Sequence, residues 1–210
     1  MAAYKSNNLN FKVMKEMNVS SPKSARKSLK EQVESVRLYV VDNLWDQPVI
    51  YCGTYKKYNE GSLFGAWLDL RMFDSYEEFM DVCKKLHADE EDPELMFQDY
   101  QCFPEFWYSE SCMGEEVFDK IIAFTNLSKN NQQAFKAFVS ATGCDSIEDF
   151  EMRYKGEWDC EEDFASHIVN ECYDLERMMG HLSMYFDYKA FARDLFISDY
   201  IFEDGYVFSR

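Results

Sequence analysis

His87-Ala88-Asp89-Glu90-Glu91-Asp92-Pro93-Glu94-Leu95-Met96-Phe97-Gln98-Asp99-Tyr100 is the stretch around which the chain is read. Asp89, Glu90, Glu91, Asp92, Glu94 and Asp99 place six carboxylates in eleven residues, with no Lys or Arg among them. Such a run repels itself and reads as a solvated loop. Its right flank differs, because Leu95, Met96, Phe97 and Tyr100 are apolar or aromatic and can anchor the run to a core. The expectation is an acidic loop held by a folded domain, with its carboxylates in fixed positions.

Composition agrees with an ordered acidic protein. The 210 residues are 47% hydrophobic and 17% aromatic, too rich in Phe, Tyr and Trp for intrinsic disorder, and long enough for one domain or a few small ones. The formal net charge is −17, from 39 acids and 22 bases. Self-repulsion on this scale works against the compact state, so the charge calls for a use. Its sign argues against direct nucleic-acid binding by the body of the chain. The seven cysteines are odd in number, widely spaced and without a C-x-x-C pair. They read as reduced thiols of a cytoplasmic protein, mostly buried, rather than as a disulfide framework or zinc site. No apolar run is long enough for a membrane span.

Taken in order, Met1 to Lys30 carries seven bases against Glu16 alone, and its serines and Pro22 suggest a flexible basic leader over residues 1–36. Arg37–Val41, Val49–Thr54 and Phe64–Leu70 read as strands, with Lys56–Gly61 as a turn. Ser75-Tyr76-Glu77-Glu78 is a capping box opening a helix whose apolar face is Phe79, Val82, Cys83 and Leu86. Helices follow over Glu115–Leu127, from Ser128 to Gly143, from Asp145-Ser146, from Asp159 and from Asp187 or Tyr188. Glu203-Asp204-Gly205 marks a final hairpin. Three helix starts share a pattern, Ser75-x-Glu-Glu-Phe79, Ser146-x-Glu-Asp-Phe150 and Asp159-x-Glu-Glu-Asp-Phe164. First-turn carboxylates favour the positive helix end, and each start also places an acidic block on the surface.

No P-loop, dinucleotide-binding, nucleophile-elbow or H-E-x-x-H pattern occurs. Cys83 and His87 are spaced as half of a metal site, without an evident second half. Glu77, Glu78 and Asp81 offer paired carboxylates of the kind acid–base enzymes use, but any acidic chain has many such pairs. Double-stranded DNA carries about one negative charge per 1.7 Å of axis, and its partners answer with Lys and Arg. A rigid protein with carboxylates at comparable density would occupy the same basic groove. From the residues alone, DNA mimicry stands beside an acidic binding module or chaperone for basic proteins and beside a small hydrolase.

Three segments bear on that choice: Gly53-Thr54-Tyr55-Lys56-Lys57-Tyr58-Asn59-Glu60-Gly61, Asp92 to Tyr100, and Phe186-Asp187-Tyr188-Lys189-Ala190-Phe191-Ala192-Arg193-Asp194-Leu195. In this order, across Arg37 to Arg210, the chain resembles ArdA-type antirestriction proteins. The resemblance implies inhibition of type I restriction–modification enzymes by imitation of B-form DNA in the groove of the methyltransferase core. It implies an elongated α+β protein of three small domains, with α/β ends flanking a helical middle; on this chain they would span 37–108, 109–155 and 156–210. It also implies a homodimer acting in the bacterial cytoplasm, carried on plasmids and conjugative transposons. The basic leader departs from the family pattern. No catalytic residue, cofactor or metal is expected, because the site would be a surface. That surface would comprise Glu77, Glu78 and Asp81; Asp89, Glu90, Glu91, Asp92, Glu94 and Asp99; Glu115, Glu116 and Asp119; Glu148 and Asp149; and Glu161, Glu162 and Asp163. The aromatic-rich end segment, with Tyr185, Phe202 and Phe208, is the expected dimer interface.

Overall fold

The computed structural model of the chain describes residues 23–44 and 46–210. They form a mixed α+β protein. By its internal contacts the chain divides into two compact units, between Ile122 and Ala123.

The first unit contains helix α1 (Lys23–Ser35), strand β1 (Val49–Thr54), the short helix α2 (Tyr55–Asn59), β2 (Ala66–Asp69), α3 (Tyr76–Leu86), β3 (Leu95–Gln101) and α4 (Glu115–Thr125), which runs across the division. The sheet is antiparallel with order β2-β1-β3. Every residue of β1 is buried, which is why the strand reads as the unbroken run Val-Ile-Tyr-Cys-Gly-Thr rather than alternating. Helix α3 starts at Ser75, whose hydroxyl accepts from the Glu78 amide, and it buries Phe79, Val82, Cys83 and Leu86 as its periodicity predicts. Phe79 stacks on Phe97 of β3 at 5.8 Å, joining helix to sheet. β3 carries a bulge: Tyr51 faces Asp99 and Cys52 faces Phe97, so Gln98 is the extra residue.

The second unit holds α5 (Lys129–Thr142), α6 (Ile147–Arg153), β4 (Tyr154–Glu157), α7 (Glu161–Cys172), α8 (Leu175–Met179), α9 (Tyr188–Ser198), β5 (Tyr200–Glu203) and β6 (Tyr206–Ser209). Its antiparallel sheet has order β4-β6-β5. Ser128 caps α5, and Gly143 ends it in the left-handed region at φ 71°. The β5–β6 turn has φ 50° at Asp204 and 87° at Gly205, the two positive angles that an Asp-Gly hairpin turn requires. Side chains alternate across β6. Phe208 packs against Phe138 of α5 and Phe150 of α6, while Val207 lies in a cluster with Phe164 of α7 and Phe196 of α9. Both β6 residues are fully buried, so helices cover the two faces of this sheet. This packing joins the expected helical middle to the end sheet.

Several expectations give way. Arg37–Val41 is not a strand: Tyr39 and Val40 continue tight turns after α1, leaving one bridge from Val40 to Leu68. Lys56–Gly61 is mostly helix, because the Thr54 hydroxyl caps Lys57. The third strand shortens to Ala66–Asp69, since the Asp69 carboxylate bonds the Arg71 amide and starts a 3₁₀ turn. The Glu78 carboxylate reaches the Asp74 amide rather than that of Ser75, so the box closes one residue early. Asp159 does not cap α7; Cys160 occupies that position without a side-chain bond. Residues Lys23–Ser35 of the expected flexible leader are helical, with Gln32 and Val36 buried. The rest of the leader lies outside the described residues. Only Cys52 and Cys83 are buried, whereas Cys102, Cys112, Cys160 and Cys172 are exposed. No helix among the described residues is long and apolar enough to cross a membrane.

Candidate functional site

Carboxylates need solvent or a cation, and the structure sorts those of the expected surface by which they have. Fourteen of the seventeen are exposed; Glu78, Glu90 and Asp149 are partly covered. Helix first turns place many of them. Glu77 and Glu78 follow the Ser75 cap, Glu148 and Asp149 follow the Ser146 cap, and Glu161, Glu162 and Asp163 open α7. Glu115 and Glu116 open α4, with Asp119 on the next turn, and Glu116 meets Lys120 at 2.8 Å. The partly covered three have partners within the chain. Glu78 accepts from the Tyr39 hydroxyl at 2.6 Å, which, with the Asp74 amide, holds its carboxyl below the usual range. Asp149 accepts from the Cys144 thiol at 3.3 Å.

The acidic run itself is divided. Its chain leaves α3 at His87, turns, and enters β3 at Leu95. Glu91, Asp92, Glu94 and Asp99 are exposed. Asp89 and Glu90 instead meet Lys57, which is the only buried lysine or arginine among the described residues. Lys57 Nζ lies 2.7 Å from Glu90 Oε1, 2.8 Å from Asp89 Oδ1 and 3.2 Å from His87 Nδ1. An ammonium has three N–H donors and no acceptor, so all three donors are used and His87 Nδ1 accepts. His87 Nε2 then carries the hydrogen and donates to the Cys52 carbonyl at 3.3 Å. The Phe64 ring lies under the same ammonium, 5.3 Å to its centroid. Thr54 Oγ1 donates to Glu90 at 2.8 Å and also caps α2 through the Lys57 amide.

The Glu90 side chain is only 6% exposed, against 35% for Asp89. Burial pushes both carboxyls up; the hydrogen bonds and charge of Lys57, joined at Glu90 by Thr54, outweigh it and hold both below the ordinary range. Cys83 does not belong to the group of candidate ligands around His87. Cys83 is fully buried beside the sheet, and burial pushes its thiol up. The ligand atoms of His87, Asp89 and Glu90 do lie within 4.8 Å of one another, but Lys57 already bonds all three. Nothing local in the sequence marks this role of Lys57, because its partners lie 30 to 33 residues away.

Phe208 is fully buried within its own chain, and Phe202 packs against the Phe164–Phe196–Val207 cluster. Phe208 therefore belongs to the core of the second unit, not to an interface. Tyr185 is 77% exposed, in a segment where Met178, Leu182 and Met184 are exposed as well.

The segments that carry the resemblance meet this geometry. Gly53–Gly61 supplies Thr54 and Lys57, and Asp92–Tyr100 supplies all of β3 but its last residue, paired with β1 from Thr54–Leu95 to Ile50–Tyr100. Phe186–Leu195 covers most of α9. No curated protein matches the chain. The family model described as antirestriction protein (ArdA) matches residues 50–208, from the second residue of β1 to the third of β6, so the chain belongs to the ArdA antirestriction family.

Proposed function

We propose that the protein inhibits type I restriction–modification enzymes by occupying, with an ordered carboxylate surface, the basic groove that takes B-form DNA. The observation that carries this reading is the division of the acidic run: two carboxylates are neutralised internally, and the others face solvent from a loop tied to a buried strand. An ordered anion array competes with a phosphate backbone without the ordering entropy that a flexible acidic tail would lose on binding. Family membership supports an antirestriction role. In this reading the protein acts in the bacterial cytoplasm as a homodimer, with the exposed Met178–Tyr185 surface as the candidate contact, because exposed apolar patches of this kind mark interaction surfaces.

The test is competition. A labelled DNA duplex bound to a purified type I methyltransferase core is titrated with the protein. Displacement that weakens steeply with salt supports the proposal. Equal binding to histone-like basic proteins, without preference for the methyltransferase, would instead support an acidic chaperone.

A further inference from the structure

Burying a lysine is costly unless its charge is paired and its donors are satisfied, and Lys57 meets both conditions only through the acidic run. The segment from His87 to Glu94 is held at three places. His87 caps α3 at one end. Asp89 and Glu90 hold the ammonium in the middle. At the far end the Tyr55 amide donates to the Glu94 carbonyl, and Thr54 pairs with Leu95. Between the ammonium and the strand lie Glu91, Asp92 and Glu94, all exposed. The two inner carboxylates bind the chain's own cation, and the three outer ones are left for a partner.

We propose that Lys57 is a positioning residue for the interaction surface: its buried ammonium fixes Asp89 and Glu90 and thereby sets where Glu91, Asp92 and Glu94 stand. This rests on the reading of the surface as a phosphate mimic. It makes a prediction whose sign is opposite to that of charge alone. Lys57→Met removes one positive charge, so the protein becomes more negative by one. If charge alone governed binding to a basic groove, the variant would bind tighter. If position governs it, the variant binds more weakly.

The experiment measures two things on the full chain. Hydrogen exchange follows the amides of residues 88–92 and 94, with those of residues 134–138 in the other unit as an internal reference. Competition with a labelled duplex for a type I methyltransferase core gives the affinity. Lys57→Met is expected to speed exchange in 88–94 at least tenfold, leave the reference amides unchanged and weaken competition at least tenfold. Lys57→Arg, which keeps the charge but not the point geometry, should fall between parent and Lys57→Met. If Lys57→Met does not fold, Glu90→Gln serves instead, since it keeps the shape and a carbonyl acceptor while removing the inner charge; the same two changes are expected in smaller degree. Unchanged exchange in either folded variant would overturn the proposal, as would faster exchange with equal or tighter competition. If the parent displaces no duplex, the phosphate-mimic reading fails, and with it the proposal; the exchange arm then reports only on the loop.

Discussion

Glu90 and Glu91 are adjacent and chemically alike, yet the fold gives them opposite tasks. Glu91 faces water, whereas Glu90 accepts from Lys57 and Thr54 at 2.7 and 2.8 Å with 6% of its side chain exposed. Removing one partner of a buried ion pair leaves an uncompensated charge, at about 3–5 kcal/mol. Lys57→Met should therefore destabilise the first unit by about that much in urea unfolding, while Glu91→Gln should shift stability by no more than about 0.5 kcal/mol. Equal effects of the two would contradict the assignment of inner and outer carboxylates. Acid should release the same contact. The folded Glu90 carboxyl sits below its ordinary value of 4.5, so its contribution is full above that pH and is lost as pH falls through the lower folded value. Melting temperature followed from pH 6 to pH 3 should drop more steeply for the parent than for Glu90→Gln. Parallel curves would show that the carboxylate does not carry that stability.

At the scale of elements, the central strand and most of the helices were legible because their signals are local. Ser75, Ser128, Ser146 and Asp187 each bond an amide three residues on, and Gly143 and the Asp204-Gly205 turn have the positive φ their positions require. Elements whose cause is distant were not legible. The β3 sequence shows only an anchoring flank, since its pairing with β1 spans roughly forty to fifty residues. β4 is Tyr-Lys-Gly-Glu, a weak strand sequence held by β6. α1 follows a Ser- and Pro-containing stretch that masked its helical period. The candidate site divides the same way: its outward carboxylates were evident as a charge run, whereas the cation behind them was not. Phe208 shows the consequence. Its aromatic side chain suggested an interface, but with Phe138 and Phe150 it holds α5 and α6 to the sheet. Phe208→Asp should therefore unfold the second unit, lost as circular dichroism signal, rather than yield folded monomers. A folded, monomeric Phe208→Asp protein would return that residue to an interface.

Over the whole chain, charge is segregated along the sequence as well as by burial. Residues 31–122 carry 21 acids and seven bases, and residues 123–210 carry 17 acids and eight bases, so both stretches are strongly negative. The proposed carboxylate surface would share its binding energy among many weak contacts. Exposed ion pairs are typically worth about 0.2–1 kcal/mol each. Neutralising Glu91, Asp92 and Glu94 together should then cost about 0.6–3 kcal/mol, roughly three- to 150-fold in affinity, with Glu91→Gln alone nearly silent. The most direct measurement is the inhibition constant against a type I methyltransferase core, taken at several salt concentrations for the parent, Glu91→Gln and the triple variant. A graded loss is expected, with a shallower dependence of log K on log salt in the triple variant, because fewer charges are neutralised on binding. Loss of inhibition on changing one carboxylate, with a flat salt dependence throughout, would contradict phosphate mimicry.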